Sequence, residues 1–421
     1  MSDHMRKRQG ILIISDGLGD RPIKALGGLT PLEYANTPNL DRLAREGCTG
    51  NVYPIAPGIP VGTDVGHMEI FGCDSDKYYP GRGPLEALSG GIEIMEGDVA
   101  FRGNFGTIDE EYTVIDRRAG RIQDGTRELA EALSGMKLKD GTTVLVKELT
   151  QHRVAVVLRG KGLSAAIVPT DVGTANEGAK LVIPCPEDPA CKEAAKTAEN
   201  LWEFTRNAME ILKNHPVNQE RIRKGLLPAN VIITRGPGQL STIPSTARQL
   251  GIRALCIAGD ITVGGIARLV GFDYYVQDSF TGGFSTDIMG KARKAVESIK
   301  EGYDWVIVHI KGTDLAGHDN QPLEKVRIIE EIDGMAGYIM DHINGEQCYI
   351  AFTADHSTPC EARDHTGDGV PTILWGWDVR RDKTEKAGEN FFMEGALQSL
   401  KARDIFTMQM DLMGFTKKRG A

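Results

Sequence analysis

Four stretches of the 421-residue sequence place side chains able to bind a metal ion just after an apolar run or a turn. ILIISD ends in Asp16, HIKGTDLAGH carries Asp314 and His318, AFTADH ends in Asp355 and His356, and RDHTGD contributes His365. Asp314 and His318 stand four positions apart, a spacing that puts both on one side of a helical turn. Asp16, the Asp314 loop and Asp355 follow runs that read as parallel strands, and ligands of open parallel sheets gather beyond the carboxyl ends of their strands. The three places would therefore converge on one rim. Mixed carboxylate and imidazole ligands suit zinc, manganese or iron, whereas magnesium and calcium prefer all-oxygen sites. A single aspartate after a strand is more often a helix cap, so the joint pattern carries the reading. His309, inside an apolar run, and His342, on a helix, read as structural histidines.

The segment PGIPVGTDVGHMEIFGCD adds a hydroxyl, Thr63, between glycine and aspartate and directly before a helix-like stretch. Backbone N–H groups and the helix dipole favour phosphate at such a place. Metal coordination or a base can turn threonine into a nucleophile; without the metal residues Thr63 would read as a plain N-cap. A phosphate ester with a second anionic or hydroxylated end also calls for arginine, whose planar fork binds carboxylate and phosphate bidentately. The candidates are Arg82 (GRGP), Arg102 (AFRGN), Arg117 and Arg118 (DRR), His152 and Arg153 (QHRVAV) and Arg235 (TRGPG). Lys311, beside Asp314, would touch substrate or orient the turn. The glycines of DGLGD lack the third glycine and the later acidic partner of a dinucleotide fingerprint, so no nucleotide is expected.

ILIISDGLGDRP, GTDVGH, GRGPLEALSGGIE, GDVAFRGNF, HIKGTDLAGHD and FTADHSTPCEARDHTGDGVP occur in that order over nearly the whole chain. Together they resemble the archaeal-type, cofactor-independent phosphoglycerate mutases of the alkaline phosphatase superfamily. The resemblance implies two divalent ions, manganese or zinc, and no bisphosphoglycerate cofactor. One ion would take Asp314, His318 and His365; the other would take Asp16, Asp355, His356 and the oxygen of Thr63. It also implies a cytoplasmic, glycolytic isomerase that interconverts 3-phosphoglycerate and 2-phosphoglycerate through a phosphothreonine enzyme. The family's usual nucleophile is serine; threonine serves in related phosphopentomutases and nucleotide pyrophosphatases. Two alternatives share the ligands: a mutase of sugar or cyclitol phosphates, and a phosphatase or phosphodiesterase in which water discharges Thr63. The partner expected is a small phosphorylated substrate, not nucleic acid or a membrane, and the oligomeric state is left open.

The elements that must position these residues follow α/β grammar. Residues 11–15 (ILIIS), 305–310 (WVIVHI) and 348–353 (CYIAFT) are near-continuous apolar runs, as in strands buried on both faces of a parallel sheet. Helices are expected at 37–46, with Thr37 as N-cap before Pro38, and at 322–344, where Val326, Ile329, Ile332, Met335 and Ile339 share a face. From about residue 98 to 182 the pattern changes to short strands broken by glycine and charge. The loop VIPCPEDPAC follows, then an amphipathic helix at 190–214 with Leu201, Phe204, Ala208, Ile211 and Leu212 on one side. The expected fold is an α/β, alkaline-phosphatase-like, doubly wound and mostly parallel sheet with an inserted α+β domain. Residues 1–78 and 240–421 would form the metal-binding, phosphatase-like domain, and residues 79–239 an inserted transferase domain that closes over substrate.

Composition agrees with that reading. With 41% hydrophobic and 25% charged residues the chain is of the ordinary globular class. A net charge of −9 argues against nucleic acid as main partner, since phosphate-backbone binding needs a basic face. Seven scattered cysteines, none in a Cys-x-x-Cys pair, exclude a zinc ribbon and make a disulfide framework unexpected. The polar opening MSDHMRKRQG and the brief ILII run are too short for a signal peptide or membrane span, so the expected compartment is the cytoplasm. Met5 could serve as an alternative start.

Overall fold

The structure, a computed structural model, describes residues 8–173, 176–240 and 245–420; Met5 lies outside the described residues. Two units divide the chain, one drawn from residues 1–79 and 244–421 and the other from residues 80–243.

In the first unit seven strands form one sheet in the order Asp273–Tyr275, Ala254–Ile257, Trp305–Ile310, Gln9–Ser15, Cys348–Thr353, Val370–Trp375 and Cys48–Val52. The first five are parallel; Val370–Trp375 joins them antiparallel, and Cys48–Val52 pairs antiparallel with it at the edge. All six residues of both Trp305–Ile310 and Cys348–Thr353 are buried, which explains why these segments read as unbroken apolar runs and not as an alternation. Each fully buried isoleucine or valine stabilises the fold by about 1.5–3 kcal/mol. The helix Pro322–His342 turns Val326, Ile329, Ile332, Met335 and Ile339 inward, the stripe its spacing predicts. It also caps a neighbour. Thr37 stands at the N-cap of the helix Pro38–Glu46 but makes no capping bond. Asp333 Oδ1 instead accepts from the Asn39 and Leu40 N–H groups at 2.9 and 2.7 Å. A side chain almost 300 positions away thus satisfies donors that a local reading gives to Thr37.

The second unit is built on an antiparallel sheet in the order Val231–Gly238, Val99–Ile108, Arg153–Arg159, Thr143–Glu148 and Met136–Lys137, with Val114–Asp116 beside Val99–Ile108. The helix Lys192–Lys213 packs Leu201, Phe204, Ala208 and Leu212 into a core shared with Phe101, Phe105, Val154, Val156 and Leu158. Ile211, expected on that face, is exposed at 38%. It adjoins Leu212, and a turn of 3.6 residues cannot keep both neighbours at the centre of one stripe. The seven cysteines are all free. No helix among the described residues is long and apolar enough to cross a membrane.

Candidate metal centre and active site

Three neighbouring parallel strands deliver the carboxylates. Asp16 directly follows Gln9–Ser15, Asp355 and His356 follow Cys348–Thr353, and the short helix Gly312–His318 after Trp305–Ile310 carries Asp314 and His318. The chain turns sharply after Asp16 because Gly17 has φ +62°, and a Cβ there would stand 2.8 Å from the Asp314 Cα. Thr63 opens the helix Thr63–Ile70, whose Gly66 lies so close to Asp355 that a Cβ would come within 2.9 Å of the Asp355 Cβ. Glycine at this position lets the helix bring Thr63 to the rim.

Asp314, His318 and His365 meet in one cluster. The two imidazole Nε2 atoms are 3.1 Å apart, and each is 3.4 Å from Asp314 Oδ1. His318 Nδ1 donates to the Arg363 carbonyl at 2.9 Å and His365 Nδ1 to the Val61 carbonyl at 2.7 Å. A carbonyl can only accept, so Nδ1 carries the hydrogen and Nε2 of the neutral ring presents a lone pair. Two lone pairs and a carboxylate oxygen facing one another at such distances repel unless a cation stands among them. The donor set therefore fits a metal ion.

Asp16, Asp355, His356 and Thr63 form a second cluster. His356 Nε2 lies 3.2 Å from Asp355 Oδ2, 3.3 Å from Thr63 Oγ1 and 3.5 Å from Asp16 Oδ1. Its Nδ1 donates at 3.0 Å to Thr358 Oγ1, which itself donates to Asp314 Oδ1 at 2.7 Å, so here too Nε2 carries the lone pair. Asp355 Oδ2 is buried and makes no hydrogen bond of good geometry, again a fit to a cation. The His356 and His365 rings stack at 3.5 Å and join the clusters. Thr63 does not stand at the cap of its helix, since Gly62 holds that position. Its hydroxyl turns instead to His356 and to Lys311 Nζ, 3.1 Å away.

Lys311, read from sequence as touching substrate or orienting the turn, lies within this cluster, with Nζ 3.0 Å from Asp16 Oδ1 and 2.8 Å from Asp314 Oδ2. Burial works against its charge, but Asp16 and Asp314 outweigh burial and hold its pKa well above the usual lysine value. Burial and the neighbouring Asp355 push Asp16 up to about 7. Burial opposes ionisation of Asp355 and Asp314 as well, yet positive charge beside them holds both low, from His356 and His67 at Asp355 and from His365 and Lys311 at Asp314; the imidazoles act so only when protonated and leave that task to a cation when neutral. Three buried carboxylates thus share one lysine ammonium, an excess of negative charge that divalent cations would offset.

Two further residues stand at this site: His309, read from sequence as a structural histidine, and His67, not singled out there. His309 Nε2 donates to Asp16 Oδ2 at 2.8 Å. His67 Nδ1 donates to the Thr63 carbonyl at 2.7 Å and lies 3.2 Å from Asp355 Oδ2. His67 was within reach of local reasoning, for it ends GTDVGH four positions after Thr63. His309 gave no such signal, because a histidine in an apolar run reads as core. His342, by contrast, lies on a helix as expected, donates to the Tyr338 carbonyl at 2.8 Å and stacks on its ring.

The arginines belong to the second unit. Glu86, buried in the helix Arg82–Ser89, lies 3.0 Å from Arg102 Nε. Burial raises its pKa, and Arg102, Arg153, Arg82 and Arg235 all act in opposition. Arg102 and Arg235 are direct cross-strand partners. Burial, with the surrounding arginines, brings Arg102 down to about 10, partly offset by Glu86. Four guanidiniums around one carboxylate leave a surplus of positive charge suited to an anion. His152 is pushed down to about 4 by burial and by Arg153, Arg118 and Arg102. Arg117 is placed differently: it is buried with its Nε 2.9 Å from Asp171 Oδ1, a partner that also lies 3.9 Å from Arg235. Glu86 went unremarked in the sequence because an acid on a short amphipathic helix reads as surface.

Fold and site together define a class: an α/β enzyme with candidate metal-binding clusters at the carboxyl rim of a mostly parallel sheet, joined in one chain to an arginine-bearing antiparallel unit. The sequence pattern of a family described as 2,3-bisphosphoglycerate-independent phosphoglycerate mutase matches residues 44–218. The mutase of that name from Thermococcus kodakarensis is 46% identical over 419 residues, covering 99% of this chain and 100% of its own. Among solved structures, a Pyrococcus horikoshii protein is similar with a TM-score of 0.83 at 40% identity, covering 99% of this chain and 100% of its own. The cofactor-independent phosphoglycerate mutase of Thermoplasma acidophilum is similar at 0.74 and 33%, covering 97% and 100%. The chain belongs to the 2,3-bisphosphoglycerate-independent phosphoglycerate mutase family, and it is an isomerase.

Proposed function

We propose that the protein interconverts 3-phosphoglycerate and 2-phosphoglycerate through a phosphothreonine at residue 63. One observation carries the reading: the Thr63 hydroxyl is turned away from its own helix and toward His356 Nε2 at 3.3 Å and Lys311 Nζ at 3.1 Å. Asp314, His318 and His365 would hold one cation; Asp16, Asp355, His356 and Thr63 would hold the other, and the mixed donors suit manganese or zinc. When bound, such ions lower the pKa of a hydroxyl and neutralise phosphoryl oxygens.

The chain's own residues then act as follows. Thr63 Oγ attacks phosphorus, the bond from phosphorus to the 3-oxygen breaks, and glycerate leaves with a proton equivalent to the one Thr63 lost. The 2-hydroxyl of the same glycerate attacks the phosphothreonine, gives up its proton and restores the Thr63 hydroxyl. Lys311 offsets charge developing on the threonine and phosphoryl oxygens. Arg82, Arg102, Arg153 and Arg235 supply the positive charge that retains an anionic acceptor, with His152 neutral beside them. Arg117, its fork engaged by Asp171, orders that part of the second unit and leaves the carboxylate clamp to the other four. Metal-loaded protein given 3-phosphoglycerate without bisphosphoglycerate should form 2-phosphoglycerate, and failure to do so with either metal would overturn the reading.

A further inference from the structure

We propose that His309 and His67 are positioning residues that hold the Asp16 and Asp355 carboxylates in the orientation a cation needs. The proposal rests on the assignment of those carboxylates to a cation site. Both rings are completely buried and pack edge to face with centroids 5.0 Å apart, behind the cluster that contains Thr63. His309 commits Nε2 to Asp16 Oδ2 at 2.8 Å. His67 commits Nδ1 to the Thr63 carbonyl at 2.7 Å, with Asp355 Oδ2 3.2 Å from the same nitrogen. The remaining ring nitrogens, His309 Nδ1 and His67 Nε2, are buried with no hydrogen-bond partner among the described residues.

A core that used these rings only for packing would gain from apolar residues, because a buried polar atom without a partner is costly. What the imidazoles provide is one directed N–H each, aimed at a carboxylate or at the backbone of the hydroxyl residue. An imidazole behind a ligating carboxylate fixes its rotation, and loss of such an outer partner typically costs about 10–100-fold in metal affinity. Asp355 has its Oδ1 held at 3.2 Å by the Gly17 N–H, and the His67 ring, fixed by its bond to the Thr63 carbonyl, stands 3.2 Å from Oδ2 on the other side. The Asp16 carboxylate accepts hydrogen bonds from His309 and Lys311 among the described residues.

The two rings use different nitrogens, and this makes the proposal sharp. A glutamine amide reaches where imidazole Nε2 stands, and an asparagine amide where Nδ1 stands. Zinc and manganese affinities of the full-length chain, measured by competition with a chelator, should fall about 10–100-fold in His309→Ala and be restored by His309→Gln but not by His309→Asn. At position 67 asparagine should rescue and glutamine should not. With saturating metal, KM for 3-phosphoglycerate should stay near wild type while kcat falls in the unrescued variants. Melting of each variant in excess chelator separates packing from positioning. A fall in chelated-state melting temperature with wild-type metal affinity would overturn the proposal, and so would equal or reversed rescue. Wild-type protein that binds metal but does not isomerise phosphoglycerate would defeat the functional reading alone, because the affinity measurements need no substrate.

Discussion

A threonine hydroxyl is a poor nucleophile, and its surroundings decide whether it is more than that. Thr63 faces an imidazole lone pair and an ammonium and leaves the N-cap position to Gly62. Thr63→Ala should therefore abolish turnover while leaving most metal binding and stability intact, and Thr63→Ser should keep turnover; kinetics and elemental analysis of the purified variants check both. A capping threonine would instead lose about 0.5–2 kcal/mol of stability and spare catalysis. His152 carries a pH prediction. Its pKa of about 4 in the folded chain lies below the value of about 6.5 for a free imidazole, so the unfolded state binds the proton first as pH falls. Its contribution to stability is complete above about pH 6.5 and is lost progressively as pH drops toward 4. Melting temperature should decline across that window, and His152→Gln should make the decline shallower; an identical slope in the variant would contradict the assignment. The residues of the two candidate metal clusters were legible because each stands in a short motif after a predicted strand or a turn. His309 and Glu86 were not, since their roles come from contacts with Asp16 and Arg102 that no local spacing encodes.

At the scale of elements, the strands that carry the carboxylates were readable because burial on both faces leaves unbroken apolar runs. The predicted segments 11–15, 305–310 and 348–353 fall within or on Gln9–Ser15, Trp305–Ile310 and Cys348–Thr353. The edge strands Cys48–Val52 and Asp273–Tyr275 have no such run and passed unnoticed. Long-range side-chain caps were equally invisible, as Asp333 shows for the helix Pro38–Glu46. Another long-range device steadies the site. Lys325, fully buried on the helix Pro322–His342, pairs with Asp20 at 2.9 Å and donates to the Thr358 carbonyl at 3.0 Å, while Asp20 accepts from the Cys360 N–H. The contacts link that helix to the turn after the first strand and to the loop that carries Asp355 and His356. Lys325→Met would leave the Asp20 carboxylate buried and uncompensated, so stability should fall by about 3–5 kcal/mol in denaturant titrations. A loss below about 1 kcal/mol would show that the pair is not holding the loop.

At the scale of the whole molecule, an acidic chain with a net charge of −9 would handle the proposed anionic substrate by concentrating positive charge locally. Lys311 stands at the hydroxyl of the first unit, and four arginines gather around Glu86 in the second. A hydrolase needs the first arrangement only, because it does not have to retain the group it releases. Retention of the acceptor is thus what separates a mutase from a hydrolase here. The direct measurement supplies 3-phosphoglycerate labelled in its phosphate to the metal-loaded protein without bisphosphoglycerate, and follows the label into 2-phosphoglycerate and inorganic phosphate. Nearly all label should stay on glycerate and appear at the 2-position; release of inorganic phosphate as the dominant product would contradict the mutase reading.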